Sequence, residues 1–269
     1  MFSKPPQENL HEHVETVAEN AEREITASRR SQYHLRHVGG ILLIIYAIQL
    51  SLFGILAWLV HIYPVNPIDI TITREFQENP TSWLKISMIA ISFGGNLFVI
   101  PCLVLLAALI FWLAGLRLEA VFVVALSVVS LGVNTLVKIL VARPRPTGHL
   151  VDVFQVTSGQ SFPSGHVMAY LAFWVLLFSF GIILFRGTHW WRIALLVVSA
   201  FFVALIGPSR IYLGNHWASD VLGAYLIGGV LLGIALWIYI KLKERGIMET
   251  ERARTRPARS NAFRSFNSK

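Results

Sequence analysis

The chain has 269 residues, 55% of them hydrophobic and 14% charged, with a formal net charge of +8. A composition this apolar excludes an ordinary soluble domain. The positive excess lies beside apolar runs and in the C-terminal tail, so the positive-inside rule explains it and no nucleic-acid partner is implied. The single cysteine, Cys102, rules out an internal disulfide and reads as a small core residue. No Zn-type Cys/His spacing and no glycine-rich nucleotide loop occurs, and no cofactor is expected.

Residues 1–38 are polar and lack the early apolar region of a cleaved signal peptide. Leu10, Val14, Val17, Ala21 and Ile25 fall at helical spacing, which fits a short amphipathic helix. A cytoplasmic arm leading into the first span is the preferred reading. Six spans of about 20 apolar residues or more follow. They are Gly40–Tyr63, Ile86–Leu113, Leu118–Leu140, Pro163–Phe185, Trp191–Ile211 and Trp217–Ile240. Pro101 is expected to kink or tilt the second. The segment Pro64–Lys85 mixes Ile68, Ile70, Ile72, Phe76 and Trp83 with charges. An interfacial segment near a site and a plain connecting loop explain it equally well. The expected organisation is an arm (1–38), an all-α six-span membrane domain (39–241) and a basic cytoplasmic tail (242–269). Tail arginines among Ser, Thr and Pro suit either attraction to anionic lipids or, preferred here, a solvated tail that fixes topology.

Six spans put both termini on one side. Arg29, Arg30, Arg36, Arg117, Arg186, Arg192, Lys241, Lys243 and Arg245 mark that side as cytoplasmic. Three polar stretches then converge on the outer side, each at a helix end. Lys138 and Arg145, the latter between Pro144 and Pro146, present an ammonium and a planar guanidinium suited to phosphate oxygens. Taken alone, they suit interfacial snorkelling equally well.

Pro163-Ser164-Gly165-His166 opens a span, where first-turn N–H groups lack partners and favour an anion. His166 would stand one turn in, with an imidazole suited to general acid work. His216 and Asp220 are four apart, which places them on one face if the last helix begins early enough. A carboxylate on one imidazole nitrogen leaves the other as nucleophile. Arg210 lies just upstream, able to offset transition-state charge. His149 and His189 fall outside the pattern and read as loop residues without a role.

Lys138…Arg145-Pro146, Pro163-Ser164-Gly165-His166 and Ser209-Arg210…His216…Asp220 resemble the three signature motifs of the type 2 phosphatidic acid phosphatase family, which includes vanadium haloperoxidases. Residue types, order and spacing agree from 138 to 220. The resemblance implies that His216 attacks phosphorus to form a phosphohistidine and that Asp220 orients it. It implies that His166 protonates the leaving oxygen and then activates water. Lys138, Arg145, Ser164, the Gly165 amide and Arg210 would cradle the phosphoryl oxygens without a metal. Arg143 competes with Arg145 for the phosphate, and spacing selects Arg145.

The expected protein is a bacterial plasma-membrane lipid phosphate or diphosphate phosphatase with its site on the outer face. Candidate substrates are undecaprenyl diphosphate, phosphatidic acid and phosphatidylglycerol phosphate. A phosphotransferase using the same phosphohistidine is the alternative, and a lipid-binding transporter is disfavoured by a complete His–Asp pair.

Overall fold

The structure is a computed structural model that describes residues 39–185 and 187–247. The expected amphipathic arm, the basic tail beyond 247 and Arg186 lie outside the described residues. The chain divides into two compact units between Ile48 and Gln49. Of the first unit only 39–48 is described, as the opening turns of helix α1 (Gly39–Ile62).

In the second unit α1 continues and is followed by α2 (Pro67–Gln77), α3 (Ser82–Phe93), α4 (Val99–Leu113) and α5 (Arg117–Val141). Then come α6 (Gly165–Ile183), α7 (Trp190–Tyr212) and α8 (Ala218–Glu244). No strand occurs among the described residues. Five helices, α1, α5, α6, α7 and α8, are long and apolar enough to cross a bilayer. Their exposed faces carry Leu, Ile, Val, Phe and Trp, as a lipid-facing surface requires. The chain is an integral membrane protein.

The span expected at Ile86–Leu113 is built from two pieces. The helix breaks at residues 94–98, not at Pro101. Pro101 sits in the first turn of α4, where its missing N–H and fixed φ cost little. The break falls at Gly94-Gly95 instead. Cys102, expected in the core, is exposed on α4. In a bilayer an apolar residue is as well placed against lipid as inside.

Helix α6 is the most buried of the five and touches α5, α7 and α8. Around its first turns Phe162, Val167, Met168 and Tyr170 pack with Ile206 and Val221. Around its second half Phe173, Leu176 and Phe180 pack with Val104, Val123 and Tyr239. A π-helical turn, Leu171–Val175, lies between the halves, one turn beyond His166.

Two chain reversals deliver the three polar stretches to one end of this bundle. Helix α5 stops at Ala142 in the left-handed region, and Pro144 and Pro146 then forbid further helix. The connection 142–164 crosses to α6. The turn between α7 and α8 is tighter. Gly214 has φ +66° after the C-cap residue Leu213, the position at which glycine ends helices. A Cβ at Gly214 would stand 2.1 Å from the Asp152 carbonyl oxygen. Only glycine allows the chain to turn there and place His216 just before α8. Gly214→Ala is therefore expected to lower stability by at least about 2 kcal/mol, from left-handed strain and backbone overlap together. Thermal unfolding in detergent checks this, and an unchanged midpoint would contradict it.

Candidate active site

The site is assembled at the ends of α5, α6, α7 and α8. Ser164 is the N-cap residue of α6 and Gly165 its first helical residue, so the first-turn N–H groups point out of the bundle end. Asn134, one face of α5, donates to the Pro163 carbonyl at 3.1 Å and steadies that loop. His166 is half-buried in the first turn of α6. It packs under the α3–α4 break: a Cβ at Gly95 would stand 2.6 Å from its Cδ2. The missing side chain at Gly95 is what allows the break to close over the imidazole.

His216 precedes α8 rather than lying in it, since the helix starts at Ala218. The i, i+4 pair still meets. Asp220 is the third helical residue, and its carboxylate reaches back to accept from the Trp217 N–H at 2.9 Å. That reach sets its Oδ2 3.4 Å from His216 Nδ1. Ser161 Oγ lies 3.4 Å from the same nitrogen and donates to Asp220 Oδ2. On the far side of the ring, Arg145 Nη1 stands 3.2 Å from Nε2. A guanidinium can only donate, so Nε2 carries the lone pair and Nδ1 the proton. The ring therefore presents an unprotonated nitrogen to a cation, with a carboxylate behind it.

Burial pushes His216 down to about 3, against the opposing pull of Asp220. The ring is neutral at pH 7, as a nitrogen nucleophile must be. Arg145 is also held below its ordinary value, first by burial, with Asp220 opposing.

Arg145 is oriented by the carbonyls of Asn215 at 2.8 Å and Gly159 at 3.1 Å. Lys138 donates to the Gln160 and Ser161 carbonyls of the same loop. Arg210 rises from the last turn of α7 and donates through Nη1 to Ser92 Oγ. Its buried Nε has no partner, and neither has the buried Ser164 Oγ. Buried polar atoms of this kind are normally satisfied. Here a donor and a hydroxyl are left over beside three cations, which is the shape of an anion site. His166 is within electrostatic reach of Arg210, His216, Arg145 and Lys138.

The eight residues singled out by spacing thus lie in one neighbourhood. Arg143 meets this group through Asp220. All its nitrogens are spent on protein groups, including Asp69 and Asp220. Ser161, Asp69 and Ser92 also hold the site and were not foreseen. Ser161 alone had a signal, since it stands in the same loop as Pro163-Ser164-Gly165-His166. His149 lies in the 142–164 connection, and His189 immediately precedes α7, stacked on Trp191.

An apolar cavity of about 440 Å³ opens beside His166 between α4, α5 and α6. Ile100, Val104, Val124, Leu131 and Met168 line it.

The profile of the PAP2 superfamily matches residues 116–244, which contain all of these site residues but the α2–α3 contributors. Phosphatidylglycerophosphatase B of Bacillus subtilis (strain 168) is 28% identical over 199 residues, 71% of this chain and 93% of that protein. A protein of Escherichia coli (strain K12), provisionally named an undecaprenyl-diphosphatase, is 30% identical over 49% of this chain and 65% of its own length. The crystal structure of a transmembrane PAP2 type phosphatidylglycerolphosphate phosphatase from Bacillus subtilis superposes with a TM-score of 0.62. That likeness has 24% identity and covers 73% of this chain and 96% of the other.

The depressed His216 value has a consequence for stability. In the unfolded chain the ring binds a proton below about pH 6.5, while in the fold it stays neutral down to about 3. The unfolded state therefore binds more protons throughout that window, and stability falls as pH falls through it. His216→Gln is expected to remove this contribution, roughly 1 kcal/mol per pH unit. Unfolding midpoints at pH 6.5 and 4.5 check it. An equal acid loss in both proteins would contradict it.

Proposed function

Through residues 116–244 the chain belongs to the PAP2 superfamily, and on that premise we propose that it is a lipid phosphate phosphatase working through a phosphohistidine at the outer membrane face. The observation that carries this reading is the polarity of the His216 ring, with its lone pair toward Arg145 and its Nδ1 toward Asp220.

In this reading the residues act in the following order. A terminal phosphoryl group sits among Lys138, Arg145 and Arg210, with the Ser164 hydroxyl and Gly165 N–H completing its cradle. Arg210 Nε and Ser164 Oγ gain the partners they lack. His216 Nε2 attacks phosphorus, and the P–O bond to the lipid breaks as His166 gives the leaving oxygen a proton. Asp220 offsets the positive charge that develops on the His216 ring. His166, now a base, takes a proton from water, which attacks the phosphohistidine and releases inorganic phosphate. The fixed cations supply the charge compensation that metal ions provide elsewhere in phosphoryl transfer.

The substrate class follows from the apolar cavity at His166, whose size and lining suit a lipid chain. The related proteins named for phosphatidylglycerol phosphate and undecaprenyl diphosphate support the same class. Both of these lipids and phosphatidic acid are proposed substrates. The side is assigned by charge. Arg117, Arg192, Lys241 and Lys243 stand at the opposite helix ends from the site, so the positive-inside rule puts those ends and both termini in the cytoplasm. A bacterial plasma membrane fits this topology. A cytoplasmic arm at 1–38, a membrane domain at 39–241 and a basic cytoplasmic tail at 242–269 are part of the same proposal.

Two experiments test the reading. Purified protein in detergent with EDTA is expected to release inorganic phosphate from at least one of these lipids, and His216→Ala to lower the rate by roughly 10³-fold or more. Loss of activity in EDTA, or an unaffected variant, would overturn it. Val124→Trp, which fills the cavity, is expected to lower kcat/KM for a long-chain lipid by about tenfold while sparing a short soluble phosphate ester. Equal losses for both would place the chain elsewhere.

A further inference from the structure

Helix α2 carries a buried carboxylate that the proposed reaction does not use. Asp69 is 3% exposed, although it lies in a short helix outside the spans. Its Oδ2 accepts from Arg143 Nη2 at 2.6 Å and from Ser219 Oγ at 2.6 Å. Its Oδ1 accepts from the Ser219 N–H at 2.9 Å, in the first turn of α8. The same Arg143 donates through Nη1 to Asp220 Oδ1 at 2.7 Å, and its Nε is held by the Pro64 carbonyl at 2.9 Å. One guanidinium thus clasps two buried carboxylates, and Ser219 bridges the clasp at 2.7 Å from Arg143 Nη1.

The helix bearing Asp69 is itself fastened to the site. Gln77 donates to the carbonyls of Asp152 and Tyr212, both at 2.8 Å, and accepts from the Asp152 N–H at 3.1 Å. Arg74 donates to the Leu150 carbonyl at 3.0 Å. Asp69 is therefore held in register with the loop before α6 and the end of α7.

Charge explains why two carboxylates are needed. Arg143 paired with Asp220 alone is neutral, and such a carboxylate has little left for the His216 ring. With Asp69 added, the buried group Asp69–Arg143–Asp220 carries one net negative charge. That charge is what a phosphorylated, positively charged imidazole requires behind it. Arg143 on Oδ1, with Ser161 Oγ and the Trp217 N–H on Oδ2, fixes the rotation of Asp220, so that Oδ2 faces Nδ1.

We propose that Asp69 is a positioning residue for phosphoryl transfer, acting through Arg143 and Ser219 to hold Asp220 charged and aimed at His216. This rests on His216 being the nucleophile. Asp69 touches no substrate, so its effect must fall on turnover and must run through Asp220.

The test is a double-substitution cycle in the full-length protein, with dioctanoyl phosphatidic acid in detergent as the probe and radiolabelled phosphate as the readout. Asp69→Asn is expected to lower kcat roughly tenfold to a hundredfold, the range for loss of a group that orients a catalytic ligand, with KM within about twofold. In an Asp220→Asn background the same change is expected to cost less than about threefold, because its route is already cut. Arg143→Lys, which keeps the cation but loses the two-carboxylate clasp, is expected to behave likewise and carries the test if Asp69→Asn does not fold. Unchanged kcat, a loss confined to KM, or an equal loss in both backgrounds would overturn the proposal. His216→Ala is run alongside. If it keeps the parent rate, the nucleophile assignment fails, and that result is distinct from an inactive His216→Ala beside an unaffected Asp69→Asn.

Discussion

The Asp220 carboxylate is the contact on which the site depends. It is fully buried, and each oxygen is claimed: Oδ1 by Arg143, Oδ2 by Ser161, the Trp217 N–H and the His216 ring. An ionised carboxylate buried in an apolar bundle is costly unless such partners surround it. The same bonds begin α8, because Asp220 caps the first turn, and they tie α8 to the 142–164 connection. Folding of this end of the bundle and orientation of the His216 ring are therefore coupled.

A second constraint is the crowding of cations. Lys138, Arg145 and Arg210 converge with few carboxylates to offset them, and like charges in a low-dielectric setting repel strongly. The bundle turns some donors of each toward carbonyls or Ser92. What remains, an unpartnered Arg210 Nε and Ser164 Oγ, is complementary to phosphoryl oxygens. The arrangement favours a doubly charged anion over a neutral lipid by charge alone. The chain that the anion carries has the cavity beside His166 to fill. The α3–α4 break packs over that imidazole at Gly95.

Much of this was legible in the sequence, for physical reasons. Long apolar runs announce spans, and α5, α7 and α8 lie within a few residues of the stretches expected from hydropathy. Cations, a carboxylate and histidines at span ends are expensive, and their spacing brought Lys138, Arg145, His166, Arg210, His216 and Asp220 to notice together. The second span was less legible because hydropathy does not distinguish a continuous helix from one broken at Gly94-Gly95.

Helix α2 was illegible for a sharper reason. Its pattern is inverted: Ile68 is 67% exposed and Asp69 is 3% exposed. Periodicity assigns the isoleucines inward, whereas in a membrane protein the polar face turns to the site and the apolar face to lipid. Asp69, Thr73 and Gln77 form that buried polar stripe, which contact with Arg143 alone reveals. Arg143 and Arg145, two residues apart, differ in partners: one is bound by two carboxylates, the other faces His216 Nε2.

The central claim is a covalent bond between phosphorus and His216 Nε2. The most direct measurement is to mix protein with lipid labelled in its terminal phosphate, quench within milliseconds in alkali and map the label by mass spectrometry. The account predicts label on His216, stable to alkali and lost in mild acid as a phosphoramidate is. A label on another residue, or none in an enzyme that turns over under the same conditions, would contradict it.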